Sequence, residues 1–152
     1  MFKNSIEIYQ HIGQSMFNAL PEKWDSAFFY FRMLNERGDC TYINKYLLHD
    51  NSLDFDVNQI DEEYENAKCA EAFRALYKLM KKDESDIPWN KARFELKPDG
   101  SFDMKFKYDE DFAWLVAVDH YSDAYERLSA NDMNLIKSWD GVPEVYDRYW
   151  LK

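Results

Sequence analysis

Alternation between apolar and charged residues is strictest over residues 90–108, and it leaves this segment little freedom. Phe94 and Leu96 alternate with charge, and Phe102, Met104, Phe106 and Tyr108 alternate with Asp103, Lys105 and Lys107. A period of two sends neighbouring side chains to opposite faces of a strand. Residues 90–97 and 101–108 are therefore expected to form a hairpin, with Pro98-Asp99-Gly100 as its turn. Such a hairpin has one buried face and one wet face. The rest of the chain must supply the cover.

Residues 25–34 predict a second strand system. Phe29, Phe31 and Met33 would face one side, and Phe28, Tyr30 and Arg32 the other. The polar run Asn35 to Asp39 turns the chain, and residues 40–48 read as the return strand. Two segments read as helices. Residues 4–20 place Ile6, Tyr9, Gly13, Met16, Phe17 and Leu20 on one face, with Asn4 or Ser5 as cap and Pro21 as stop. Residues 59–82 carry the stripe Ala67, Ala70, Phe73, Leu76, Tyr77 and Met80, with acids in the first turns and lysines in the last. Residues 49–58 read as a loop. Beyond 110, residues 112–118 fit either a strand or a helix start. Residues 122–128 and 131–139 read as helical, and 143–151 as the start of a last short helix. The order is roughly α-β-β-α-β-β-α. The expectation is an α+β fold in one domain over 1–152, an antiparallel sheet of two hairpins packed with helices.

The formal net charge is −10, from 29 acids against 19 bases. That field repels nucleic acid and anionic membranes and speeds association with basic proteins; simple solubility is the plainer reading. Aromatics make up 18% of the 152 residues, more than a core of this size needs. Surface Tyr and Trp anchor interfaces well. Cys40 and Cys69 lack CxxC or His/Cys spacing and read as reduced thiols. MFKNSIEIYQ lacks a basic region followed by an apolar run, so it is not read as a signal peptide. No stretch approaches 18 apolar residues, so no membrane span is expected. The expected location is cytoplasmic.

Several motifs share one order. A helix leads to Pro21-Glu22-Lys23-Trp24, then an aromatic hairpin, a long acidic-to-basic helix, and Pro88-Trp89-Asn90. After these come Phe94, Leu96, Gly100, Phe102, Phe106, Tyr108 and Asp109 in the spacing F-x-L-x-x-x-G-x-F-x-x-x-F-x-Y-D. This resembles the YezG-like family of bacterial immunity proteins over most of residues 6–108. The aromatic stretch 112–128 stands outside that pattern. The resemblance implies a gene beside a polymorphic toxin, contact-dependent or secreted, and a partner that is the toxin's C-terminal domain, often a nuclease. The motif residues themselves read as structural: Gly100 permits the turn, Phe102 and Phe106 point inward, and Trp89 plugs the corner from helix to strand.

Catalytic constellations are not apparent. His11, His49 and His120 have no HExxH-type spacing, and GxSxG or Walker-type loops are absent. The stretch Asp50 to Asp56 lacks the central Gly and terminal Glu of a calcium loop. No metal, cofactor or enzymatic role is expected. The competing readings are a non-toxin adaptor and, more remotely, a small carboxylate-based hydrolase.

The acids are distributed unevenly. Between His49 and Ala67 stand seven acids with no Lys or Arg. A solvated helix start accounts for some of them. The sharper reading is a partner-facing patch of Asp50, Asp54, Phe55, Asp56, Asp61, Glu62, Tyr64 and Glu65, able to occupy a basic nuclease cleft. Asp109, Glu110 and Asp111, next to Trp114, form a second group. Stoichiometric inhibition by a monomer or weak homodimer follows, without contact to nucleic acid or membrane.

Overall fold

Alternation becomes a sheet. The computed structural model describes residues 2–152, with the side chains of all but 58–68. Its described strands are β1 (Ser26–Met33), β2 (Cys40–Leu48), β3 (Asn51–Asp54), β4 (Lys91–Leu96) and β5 (Phe102–Lys107). They form one antiparallel sheet in the order β3-β2-β1-β4-β5. The chain divides into two compact units, one running to Lys107 and one spanning Tyr108–Lys152. The fold class is α+β, as expected.

In the first unit the faces of β1 fall as the sequence predicts. Phe29, Phe31 and Met33 are buried, while Phe28, Tyr30 and Arg32 lie on the opposite face and are only partly covered. Helices α1 (Ser5–Ala19) and α2 (Asn58–Met80) cover the buried face. Phe73 of α2 stacks on Phe31 at 4.5 Å and leans on Phe29 at 4.9 Å. Burying each of these rings contributes about 2–3 kcal/mol. Trp89 is fully buried at the corner before β4, against Phe31, Tyr77 and Phe106. Gly100 turns the β4–β5 hairpin at φ 91°, a conformation open to glycine without strain. Phe102, at the edge of the sheet, lies against Phe94 and Tyr9 but keeps 47% of its surface exposed, so its inward orientation gives only half-burial.

Three expectations are corrected in this unit. First, α1 buries Ile8, Ile12, Ser15, Met16 and Ala19, whereas Ile6 and Phe17 are exposed. Apolar residues occur on several sides of this helix. Gly13 lies beside Phe94, where an added Cβ would stand 3.6 Å away, and the residues one position earlier turn into the core. Second, the segment expected as a loop over 49–58 contains β3. His49 and Asp50 take φ of 52° and 67°, the backbone of a type I′ turn, so Asn51 pairs directly with Leu48. Third, the sheet therefore has more than two hairpins' worth of strands.

The second unit is helical: α3 (Glu110–Ala117), α4 (Asp123–Arg127), α5 (Ala130–Lys137) and a 3-10 turn at Tyr149–Leu151. The segment left open between strand and helix is thus helical. Each helix starts on a side-chain cap, with Asp109, Ser122 and Ser129 accepting from the N–H groups of Phe112, Tyr125 and Asp132. Asp132 accepts the hydroxyls of Tyr146 and Tyr149, each at 2.7 Å. These two phenols hold its carboxyl below the usual carboxylate range. No described helix is long and apolar enough to cross a membrane.

Candidate partner-binding surface

The first acidic group is built on the β2–β3 hairpin. The turn is tied down where the His49 N–H donates to Asp25 Oδ2 at 2.8 Å. Asp50 sits at the tip, exposed and without a partner among the described residues. All four residues of β3 are exposed. Asp54 pairs with Lys45 across the strands, and its side chain keeps 78% of its surface, so this pair contributes at most about 0.5 kcal/mol.

After Asp54 the chain is pinned by Asn44. The Phe55 N–H donates to the Asn44 carbonyl at 3.3 Å, and the Val57 N–H to Asn44 Oδ1 at 3.4 Å. Phe55 is buried and lies edge-on to Tyr46 at 6.0 Å. Its side chain is therefore a core element and is not presented as a surface anchor. Asp56 is exposed. Burial, and then the charge of Asp56, raise the Tyr42 phenol above its ordinary value. Tyr42, Ile43, Lys45, Asp54 and Asp56 line an open depression of about 500 Å³. The side chains of Asp61, Glu62, Tyr64 and Glu65 lie outside the described residues.

The second acidic group has a different fate. Asp109 caps α3, its carboxylate 3.1 Å from the Phe112 N–H. Asp111 accepts both arms of Arg148, at 2.8 and 3.0 Å, in a pair whose side chains are only 15% and 24% exposed. Arg148 also donates to the carbonyls of Val142, Glu144 and Tyr146. Its hydrogen bonds to Asp111, ahead of the opposing effect of burial, raise the guanidinium above its ordinary value. Trp114 is half-buried, 6.3 Å from Trp150. Of the three acids only Glu110 is exposed.

Structure and sequence thus separate the candidates. Asp50, Asp54 and Asp56 come together on one exposed sheet edge. Asp109, Asp111 and Trp114 are held in the framework of the second unit. Ser52 and Leu53 of the same edge, and Ile43 of β2 in the adjoining depression, stand outside the candidate set expected from the sequence, although Leu53 is interleaved with its acids. Leu53 and Ile43 keep 40% and 42% of their surface exposed. The missed signal was the alternation Leu53-Asp54-Phe55-Asp56-Val57, which already places Phe55 and Val57 inward and both aspartates outward.

Among the described residues no group of three or more His, Cys, Asp and Glu side chains could hold a metal ion. The class defined by this arrangement is an acidic α+β protein with an exposed group of acids along one edge of its sheet. The model of the YezG-like immunity protein family matches residues 6–131, and the chain belongs to that family. The match extends past the motif residues into the second unit and crosses the boundary at Lys107. No curated protein matches the chain. Membership gives an immunity role, with a toxin as partner.

Proposed function

We propose that the chain neutralises the nuclease C-terminal domain of a contact-dependent or secreted polymorphic toxin by binding it one to one, without turnover or cofactor. It acts in the cytoplasm as a monomer or weak homodimer, and its two units serve as one immunity domain. Family membership supplies the class of partner. The observation that carries the mode of binding is the exposed acidic edge of Asp50, Asp54 and Asp56. A nuclease cleft that holds phosphates is basic, and an acidic surface can occupy it in place of the substrate. The charge speeds encounter, and nearby apolar contacts slow release. Asp61, Glu62, Tyr64 and Glu65 are proposed as further toxin contacts from their place in the sequence alone, and Glu110 as an exposed acid of the second group.

The test is co-expression with the C-terminal domain of the protein encoded immediately upstream, followed by pull-down and growth. The expected result is toxicity of that domain alone and rescue with binding when this chain is present. Absence of both toxicity and binding would turn the reading to a non-toxin adaptor. With binding established, joint replacement of Asp50, Asp54 and Asp56 by Lys should slow association about tenfold at low salt. The difference should shrink as salt screens the charge. An unchanged association rate at low salt would remove the acidic edge from the mechanism.

A further inference from the structure

The edge of β3 offers backbone as well as charge. The Phe55 N–H bond to the Asn44 carbonyl sets the phase of the ladder, so Tyr46–Leu53 and Leu48–Asn51 are the pairs that exchange hydrogen bonds. Ser52 and Asp54 therefore turn their N–H and C=O groups away from β2. β3 ends the sheet, and these groups take no partner among the described residues. They form a ready template for one more strand.

The side chains select what that strand can be. Asp50 and Asp54 flank the edge, and Asp56 follows it in the depression beside Tyr42. A second copy of this chain would set acid against acid, which disfavours edge-to-edge pairing of β3 with itself. A strand carrying Lys or Arg at alternate positions is attracted instead. Its cations meet Asp54 on one face, in competition with Lys45, and an apolar residue between them meets Leu53 on the other.

We infer that the toxin docks by adding a strand with cationic side chains at alternate positions to the free edge of β3, hydrogen-bonded to Ser52 and Asp54. This rests on the immunity reading and deepens it from a charged surface to a defined geometry.

Ser52→Pro tests it. The Ser52 N–H bonds nothing within the sheet, so proline removes an outward donor without breaking an internal bond. Ser52→Ala keeps the donor. The probe is the purified C-terminal domain of the upstream-encoded toxin. Ser52→Pro should weaken binding at least about tenfold while Ser52→Ala stays within about twofold, the loss expected when main-chain hydrogen bonds carry the affinity. In the wild-type complex the Ser52 and Asp54 amides should exchange with solvent at least about tenfold more slowly than in the unbound chain. Unchanged exchange at both amides overturns the inference, even where Ser52→Pro disturbs folding. Tight wild-type binding with an undiminished, folded Ser52→Pro variant overturns it alone and leaves the immunity reading in place. Failure of the wild-type chain to bind the toxin domain overturns both.

Discussion

Two acidic groups with the same appearance in the sequence end in different roles. Asp50, Asp54 and Asp56 stand exposed on a hairpin edge. Asp109 and Asp111 are engaged, one as a helix cap and the other in a two-pronged bond to Arg148. Aromatic neighbours do not separate them, since Phe55 is buried and Trp114 is half-buried. What separates them is cover: the Asp111–Arg148 pair is mostly buried and Asp109 is half-buried, whereas Asp50, Asp54 and Asp56 are exposed. A run of acids therefore bears on partner binding only after the carboxylates committed to the fold have been removed from it.

The sharpest way to break this comparison is Asp111→Ala. It deletes two charge-assisted hydrogen bonds in a mostly covered site and leaves Arg148 without its counter-ion. The expected loss is about 2 kcal/mol, read as a drop of several degrees in the melting temperature. Asp54→Ala, which breaks an exposed pair, should cost no more than about 0.5 kcal/mol. Equal melting temperatures for the two variants would end the distinction. Arg148→Ala, which also removes the bonds to the Val142, Glu144 and Tyr146 carbonyls, should cost at least as much as Asp111→Ala. The double variant should lose little beyond Arg148→Ala alone, because both substitutions remove the same ion pair.

Asp109→Ala probes the cap. Losing the acceptor for the Phe112 N–H should cost about 1 kcal/mol, measured by denaturant unfolding. Toxin association should be unchanged. A fall in the association rate larger than the stability loss would return Asp109 to the binding surface.

The parts of this molecule that were legible in its sequence are those where one physical signal acts alone. β4 and β5 show a strict period of two with a glycine turn, and their expected bounds differ from the observed ones by a residue at each end. The stripe from Ala70 to Met80 in α2 is equally plain, with Ala70, Phe73, Leu76 and Tyr77 buried. Elsewhere two signals compete. β3 was hidden because Asn51, Ser52 and Asp54 are weak strand formers, and because its turn uses His-Asp where Asn-Gly is the usual mark. In α1, Ile6, Ile8, Tyr9, Ile12, Met16 and Phe17 spread apolar surface around the helix, so periodicity alone did not choose the buried face. The run Phe112 to Val118 is too short for periodicity to separate strand from helix. Asp109, three residues ahead of Phe112, was the signal that decides it. For the candidate surface, the acids were legible as charge. Their engagement was not, because Arg148 lies far from Asp111 in sequence.

The smallest effect concerns the hairpin tip and has the opposite sign. Asp50 holds φ at 67° with no partner among the described residues, in the turn position where glycine is preferred. Asp50→Gly relieves that conformation and should stabilise the protein by about 0.5 kcal/mol, read as a small rise in melting temperature. It also removes one exposed negative charge, so association with a basic toxin domain should slow slightly at low salt. A residue kept for the fold would lose stability on this change, as Asp111 and Asp109 should. One kept for its charge should gain stability and lose speed of capture. If Asp50→Gly instead destabilises the hairpin, Asp50 belongs with Asp109 and Asp111, and the exposed group shrinks to Asp54 and Asp56.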